Sequence, residues 1–335
     1  MESLMPLDLR MRVEHWPLSR PFRISRGVKT SADVVVVEVH SADGRTVGRG
    51  EAVPYGRYGE TPASVMGQLE SLQASLAQFS SREALHQHLT AGAARNAVDC
   101  ALWDLEAQIS GCSVARKLGQ SPVMPLTTAV TIGLDEPDAM AEAATSAATA
   151  ALIKIKVDAK APERQIQAVL SACPRSEIIV DPNESWTDEI LRELRPFLVE
   201  HRVALLEQPL PAGQEHLLEG LNYPVPICAD ESCHTSVDLH QLVGQFQYVN
   251  IKLDKTGGLT EALELLSRAQ ALGFGIMVGC MICTSLSIAP ALHVARHARF
   301  VDIDGPFWLT RDRPGGIQLA DQQVMPPAPG FWGAN

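Results

Sequence analysis

Two patterns of apolar and polar positions divide the chain. The first 60 residues contain the runs MRVEHW, DVVVVEVHSADG and TVGRGEAV, which predict three strands with a turn at SADGR. Between about residues 62 and 118 the apolar positions recur with helical spacing, and a helix there is expected to end at Gly111. Strands followed by helices predict an α+β module over residues 1–120.

From about residue 125 the pattern changes to short β-branched segments that alternate with helical ones. Eight segments have strand character: LTTAVTIG, AALIKIKV, SEIIVD, VALLEQPL, PICADES, YVNIKLDK, GIMVGCMI and FVDIDGP. Eight strands with helices between most of them are typical of a parallel (β/α) barrel. We therefore predict an α/β protein whose barrel spans residues 121–312, followed by a Pro- and Gly-rich segment, 313–335, that returns to the first module.

Composition and charge narrow the class of protein. The chain has 46% hydrophobic and 20% charged residues, as a soluble globular protein has, and its net charge of −11 disfavours a nucleic-acid partner. No apolar run approaches the roughly 18 residues of a membrane span, and the N-terminus does not resemble a signal peptide. Seven cysteines without regular spacing favour a reducing compartment, so we expect a cytoplasmic protein, with a homo-oligomer possible.

Charged residues recur at the ends of the predicted barrel strands, where (β/α) barrels bind their ligands. They follow one another at steps of 22 to 27 residues, about one βα unit each: Lys156, Asp181, Glu207, Asp230, Lys252, the Gly279 region, and Asp302 with Asp304. Surface charges in a random arrangement would not keep this register. Strand residues two apart share a face, so Lys154 is expected to point the same way as Lys156.

Three of these strand ends, Asp181, Glu207 and Asp230, are carboxylates on neighbouring strands. Buried carboxylates that converge repel one another unless a cation lies among them. Oxygen donors without a His or Cys partner favour Mg²⁺. The alternative, that each residue is an unrelated helix N-cap, suits a single position better than three in register.

Lysines flank this carboxylate trio, with Lys154 and Lys156 on strand 2 and Lys252 on strand 6. Such an arrangement suits the removal of a proton beside a carboxylate by one lysine and its return to the opposite face by another. Mg²⁺ bound to the substrate carboxylate would stabilise the enediolate. Because the base must be neutral, we expect Lys154 and the metal to lower its pKa.

With these residues the chain resembles the enolase superfamily, in its muconate-lactonizing-enzyme subgroup, over nearly its whole length. The similar motifs are KIK (Lys154, Lys156), the set Asp181, Glu207 and Asp230, and NIKLDKTGG with Lys252. The resemblance implies that Lys156 and Lys252 are the acid/base pair and that the barrel has the modified (β/α)7β form. It also implies that the N-terminal module is a capping domain with specificity loops near residues 20–30 and 50–60.

Further motifs narrow the implied reaction. Strand 7, GIMVGCMI, has no His at its end, which disfavours the mandelate-racemase-like members. Asp302 and Asp304 resemble the DxD motif with which dipeptide epimerases hold a substrate's α-ammonium group, although a capped turn before Gly305 is the alternative. GEAVPYGRYGET, VDPNESW and ICADESCHT resemble bacterial L-Ala-D/L-Glu epimerases of peptidoglycan recycling. The implied function is Mg²⁺-dependent epimerisation of this dipeptide at the α-carbon of its C-terminal residue.

Substrate specificity is less constrained by the sequence. The resemblance places Arg26 at the glutamate side chain, a contact that a guanidinium suits, whereas Glu51 and Glu60 would favour a cationic substrate. Further candidates are Thr131 in the pocket and Asn183 and Glu231 beside the ligands. The open alternatives are a cationic dipeptide epimerase, an N-acylamino-acid racemase, an o-succinylbenzoate synthase and, from a different class, a non-catalytic metal-binding barrel.

Overall fold

A computed structural model of the protein describes residues 8–73, 82–320 and 322–334. It contains an N-terminal antiparallel sheet with helices packed on it and an eight-stranded parallel sheet. The predicted α/β architecture, a barrel with an α+β module, is confirmed. Among the described residues, no helix is both long and apolar enough to cross a bilayer.

The N-terminal module is a three-stranded sheet covered by a long helix. Its elements are β1 (Asp8–Ile24), β2 (Gly27–His40), β3 (Val47–Ala52), α1 (Pro62–Gln73), α2 (Arg82–Leu85), α3 (Ala93–Ser110) and α4 (Val114–Lys117). Residues 34–37 of β2 are fully buried on both faces, which explains an unbroken run of valines. A Cβ atom at Gly50 would lie 2.0 Å from the carbonyl oxygen of Ala97, so glycine lets β3 approach α3 closely. The predicted helix end at Gly111 is confirmed.

The eight predicted barrel strands all form and pair in parallel. They are β5 (Val130–Ile132), β6 (Leu152–Lys156), β7 (Glu177–Asp181), β8 (Leu205–Glu207), β9 (Ile227–Ala229), β10 (Tyr248–Ile251), β11 (Gly275–Gly279) and β12 (Phe300–Asp302). A short strand, β4 (Leu126–Thr127), precedes them. The amide of Ala129 donates to the carbonyl of Val301 at 2.7 Å, which joins the first and last strands into a barrel.

Helices separate most of the strands. They are α5 (Pro137–Thr145), α6 (Pro162–Ala172), α7 (Asp188–Glu200), α8 (Leu239–Leu242), α9 (Leu253–Thr256), α10 (Leu259–Ala271) and α11 (Ser285–Ala295). Helix α7 shows why they form: Thr187 caps its first turn by accepting from the amide of Ile190, and Leu191, Leu194 and Leu198 bury one face. Because the strands are parallel, their carboxyl ends lie together at one mouth of the barrel, which the N-terminal module approaches.

Alternation along the strands divides the barrel interior into layers. One layer is apolar and contains Ala129, Leu152, Ile179, Leu205, Cys228, Met277 and Phe300. Two residues further along their strands, the same inward face presents polar groups such as Lys154, Asp181 and Glu207. The apolar layer closes the barrel below, so the polar layer lies at the bottom of the mouth.

The C-terminal residues contact both parts of the protein. Strands β13 (Gln318–Ala320) and β14 (Gln323–Met325) extend β4 into a small antiparallel sheet. The guanidinium of Arg313 lies 2.6 Å from Glu14 and 2.8 Å from Glu51, both in the N-terminal module. These contacts fasten the first module to the barrel.

Candidate active site

A cavity of about 360 Å³ lies at the carboxyl ends of the barrel strands, with loops of the N-terminal module over it. Its volume falls in the range of small-molecule sites. The structure brings ten of the predicted site residues to its wall: Arg26, Thr131, Lys154, Lys156, Asn183, Asp230, Glu231, Lys252, Asp302 and Asp304. The remaining two, Asp181 and Glu207, are fully buried beside them and bind lysines of this wall.

Lys156 and Lys252 lie on opposite sides of the barrel. In the strand order, three strands separate β6 from β10 in either direction around the barrel. Lys156 Nζ lies 2.5 Å from Asp181 Oδ2, and Lys252 Nζ lies 2.7 Å from Asp230 Oδ2. Two ammonium groups therefore face the cavity from opposite walls, as the sequence predicts.

The carboxylate trio is almost completely buried, with Asp181, Glu207 and Asp230 each at most 1% exposed. Burial and the nearby Asp181 raise the pKa of Glu207 to about 7. Although burial acts in the opposite direction, Lys156 and Lys154 hold the pKa of Asp181 at about 2. The trio is thus a set of mutually repelling oxygen donors that depends on cations.

Lysine ammonium groups lie among these carboxylates. Lys154 Nζ is 2.7 Å from Glu207 Oε2 and 3.1 Å from Asp181 Oδ2, so the two carboxylates can share one cation. In this arrangement no three His, Cys, Asp or Glu side chains of the described ranges form a cluster that could hold a metal ion. The cluster expected from the sequence is therefore not preformed.

The donor chemistry of the site nevertheless fits Mg²⁺. All three side chains offer hard oxygen atoms, and they lie at the carboxyl ends of the adjacent strands β7, β8 and β9. Two more oxygens nearby, Asn183 Oδ1 and Glu231 Oε2, are buried without a hydrogen-bond partner in the described chain. The backbone N–H of Asn183 also donates to Asp181 Oδ1 at 2.8 Å, which orients that carboxylate.

An acid pair occupies the end of β12. Asp302 accepts hydrogen bonds from Lys154 Nζ at 2.8 Å and Thr131 Oγ1 at 3.3 Å. Asp304 accepts from the backbone amide of Thr131 at 2.8 Å and from Trp308 Nε1 at 3.3 Å. Burial and the neighbouring Asp302 raise the pKa of Asp304 to about 6. Both carboxylates line the cavity, where they would attract a cationic group.

Arg26 lies at the cavity but is held by protein groups. Its guanidinium donates to Glu231 at 2.7 Å, to Glu184 and the carbonyl of Asn183 at 2.9 Å, and to the hydroxyl of Tyr55 at 3.0 Å. A substrate carboxylate, the partner predicted for Arg26 from the sequence, would therefore have to compete with these four contacts.

Lys252 does not have the lowered pKa that the sequence predicts for a neutral base. Burial and Lys154 act to lower the pKa of Lys252, but Asp230 and other carboxylates outweigh them, and the net shift is upward. The pKa of Lys154 is also raised, because Asp302, Glu207 and Asp181 outweigh its burial. The expectation also depended on repulsion from a bound metal ion, so for the metal-loaded site it stays a prediction.

Sequence reasoning missed several residues of the site. Lys255 is fully buried and donates to Asp230 Oδ1 at 2.7 Å, and Asn250 donates to Glu207 Oε1 at 2.9 Å. Both belong to the NIKLDK motif, and the two-residue period from Lys252 would have placed Asn250 on the inner face. Arg57 and Glu184 pair at 2.8 Å across the mouth, and nothing in the local sequence predicts that contact.

Two models of known protein families match this chain. Residues 7–119 match the family model "Mandelate racemase / muconate lactonizing enzyme, N-terminal domain", and residues 138–331 match "Enolase C-terminal domain-like". The chain therefore belongs to the mandelate racemase/muconate lactonizing enzyme family of the enolase superfamily.

Two curated relatives cover nearly the whole chain. The chain is 47% identical to L-Ala-D/L-Glu epimerase of Escherichia coli, over 93% of this chain and 97% of that protein. It is 43% identical to N-acetyl-D-glutamate racemase of a Pseudoalteromonas species, over 89% of this chain and 95% of that protein. Because epimerases and racemases are isomerases, the chain is an isomerase.

Solved structures agree with this assignment. An Agrobacterium tumefaciens enolase family member with bound sodium and L-Ala-L-Glu is 45% identical, with a TM-score of 0.94 over 98% of this chain and 100% of that chain. A Methylococcus capsulatus dipeptide epimerase, complexed with Mg and L-Arg-D-Lys, is 32% identical, with a TM-score of 0.85 over 97% and 98%. Both identities exceed the level at which only the fold would be shared.

Proposed function

We propose that the protein is a Mg²⁺-dependent dipeptide epimerase that interconverts L-Ala-L-Glu and L-Ala-D-Glu at the α-carbon of the C-terminal residue. The observation that carries this proposal is the position of Lys156 and Lys252 on opposite walls of one cavity, with three buried carboxylates at the ends of the strands between them. The E. coli relative and the Agrobacterium complex support the choice of dipeptide.

The reaction assigns one step to each lysine. One of them, in its neutral form, removes the α-proton from one face, and the other donates a proton to the opposite face. Asp181, Glu207 and Asp230 would hold the metal. When bound, Mg²⁺ supplies positive charge that stabilises the negative charge developing on the substrate carboxylate.

The remaining residues bind and position the substrate. Asp302 and Asp304 receive the α-ammonium group, and Thr131 fixes both carboxylates through its hydroxyl and its amide. Lys154 balances the charge between this acid pair and the trio. Arg26 and Glu231 connect the N-terminal loop to the metal side of the cavity, which supports residues 1–120 as a cap on a barrel of residues 121–312.

A second candidate activity is the racemisation of an N-acylated glutamate, as in the Pseudoalteromonas relative. Such a substrate has the same carboxylates but no ammonium group. The acid pair at Asp302 and Asp304 would repel it or stay without a partner, so the dipeptide fits the cavity better. We place the reaction in the cytoplasm, in the recycling of peptidoglycan peptides, in keeping with the motifs shared with enzymes of that process.

Deuterium exchange tests the proposal directly. With Mg²⁺ in D₂O, the protein should exchange the α-proton of the glutamate residue in L-Ala-L-Glu and produce both diastereomers, as seen by ¹H NMR. N-acetyl-L-glutamate serves as the comparison substrate. Exchange with the acylated amino acid alone would favour the second activity, and exchange with neither would reject both.

A further inference from the structure

Most cations at the cavity already have an anionic partner. Six cationic side chains line it within the described chain, and five of these lie within 3 Å of a carboxylate oxygen: Arg26, Arg57, Lys154, Lys156 and Lys252. The sixth is Lys29, which has no carboxylate within ion-pair distance among the described residues. Within the described part of the chain, Lys29 is therefore the cavity cation that lacks an anionic partner.

Sheet register directs Lys29 toward the cavity. Lys29 is the cross-strand partner of Phe22 in the β1–β2 hairpin, so the two side chains share one face. Phe22 lines the same cavity. The ammonium nitrogen lies 5.1 Å from the centre of the Tyr55 ring, a cation–π contact that replaces little of its lost hydration.

The environment of Lys29 is costly for an isolated charge. Its side chain is partly buried, and this burial lowers the pKa although the more distant Asp33 and Asp254 act in the opposite direction. A partly desolvated cation without a close anionic partner is stabilised when an anion enters the cavity. A ligand carboxylate beside the Tyr55 ring would supply that anion.

Arg26, the residue first expected to bind such a carboxylate, has another task in this structure. It ties the turn between β1 and β2 to Glu184 and Glu231, which follow β7 and β9. Glu184 also binds Arg57 of the second loop. Releasing Arg26 toward a ligand would leave two mostly buried carboxylates with weaker partners, which is unfavourable.

The geometry points to Lys29 as the residue that binds the substrate's side-chain carboxylate and so selects an acidic C-terminal residue, while Arg26 holds the loop closed. This inference rests on the proposed function, because it names the group that recognises the glutamate side chain of that substrate. The neutral isostere L-Ala-L-Gln has the same shape without the charge. Substitution of Lys29 should therefore affect the two dipeptides differently, whereas substitution of a residue with a purely structural role should affect both equally.

Steady-state kinetics with Mg²⁺ provide the first test. Lys29→Met should raise KM for L-Ala-L-Glu by about 10- to 100-fold, the value of a charge-assisted hydrogen bond, and change kcat little. For L-Ala-L-Gln, KM should stay within about threefold of wild type. Lys29→Arg should recover most of the preference for glutamate. Lys117→Met, at an exposed lysine on α4, is the matched control and should behave as wild type with both dipeptides.

Two outcomes would overturn the role of Lys29. Either Lys29→Met affects both dipeptides equally, or Arg26→Met lowers the preference for glutamate and Lys29→Met does not. Calorimetry measures the binding of the two dipeptides in the presence of Mg²⁺. It therefore tests the role of Lys29 even if the wild-type protein does not turn these dipeptides over. Wild-type binding with no effect of Lys29→Met rejects Lys29 alone. Wild type that binds neither dipeptide rejects both proposals.

Discussion

Lys154 Nζ lies 2.8 Å from Asp302 Oδ2, and it thereby connects two ends of the cavity that are 148 residues apart in the chain. The same nitrogen lies 2.7 Å from Glu207. One buried cation thus balances the carboxylate trio and the acid pair together. Removing this charge should affect both parts of the site.

The first prediction concerns this charge. Lys154→Met keeps most of the side-chain length but leaves buried carboxylates without compensation, so we expect the free energy of unfolding to fall by about 3 kcal/mol without Mg²⁺. Mg²⁺ should restore part of this loss, because a cation then lies among the same oxygens. Urea unfolding with EDTA and with Mg²⁺ measures both effects. Lys160→Met, on the surface, is the control, and an equal Mg²⁺ effect in Lys154→Met and wild type would contradict the account.

Variants of the two lysines proposed as the acid/base pair should lose activity in different ways. Lys156→Ala and Lys252→Ala should each reduce epimerisation by about 1,000-fold, the usual contribution of a positioned acid or base. In D₂O, each variant should still exchange the α-proton of one diastereomer, because the remaining lysine serves one face. NMR with pure L-Ala-L-Glu and pure L-Ala-D-Glu identifies the isomer. If both variants exchange the same isomer, the opposed arrangement is wrong.

Asp304 should give the enzyme an acidic limit. Because burial and Asp302 raise its pKa to about 6, it takes up a proton as the pH falls through that value and loses its attraction for an ammonium group. We expect kcat/KM for L-Ala-L-Glu to fall below about pH 6 in wild type. In Asp304→Asn, kcat/KM should be about 10-fold lower at pH 8 and should lack that inflection. Asparagine keeps an oxygen for Thr131 and Trp308, so an unchanged pH profile would assign the inflection to another group.

Asp254 should make stability depend on pH. Its side chain is buried, and this burial raises its pKa to about 7. Its folded form therefore keeps a proton that the unfolded chain releases near pH 4, so its ionisation costs stability progressively as the pH rises from about 4 to 7. Asp254→Asn should remove this cost and gain about 2–4 kcal/mol relative to wild type at pH 8 compared with pH 4.5.

Urea unfolding of Asp254→Asn and wild type across this range measures the difference. The substitution preserves the acceptor for Val53 and Asn96, because both donate to the same oxygen, Oδ1. A constant difference between the two proteins at all pH values would show that Asp254 is not protonated in the fold.

Much of the site follows from local sequence patterns. Strand residues alternate between faces, and barrel strands recur once per βα unit, so Lys156, Asp181 and Glu207 reach the same height at one mouth. These rules involve only a few residues at a time. For that reason the sequence predicts the eight strands, the position of the lysine pair on opposite walls and the buried trio.

Contacts between distant loops follow no local rule. Arg26 and Glu184 are separated by 158 residues, and no period or motif connects them. Their pairing depends on how the N-terminal module lies over the barrel. The resemblance alone assigns Arg26 to the substrate, whereas the structure shows its guanidinium occupied by protein groups.

Local sequence patterns specify the architecture and the residues at the mouth of the barrel, because strand alternation and the length of a βα unit are short-range properties. The pairing of the charges follows from the tertiary structure: which lysine each carboxylate binds, which arginines fasten the loops, and that Lys29 has no carboxylate partner among the described residues. Those outcomes depend on distances between segments far apart in the chain and on the loss of water between them, and electrostatic free energies change steeply with both.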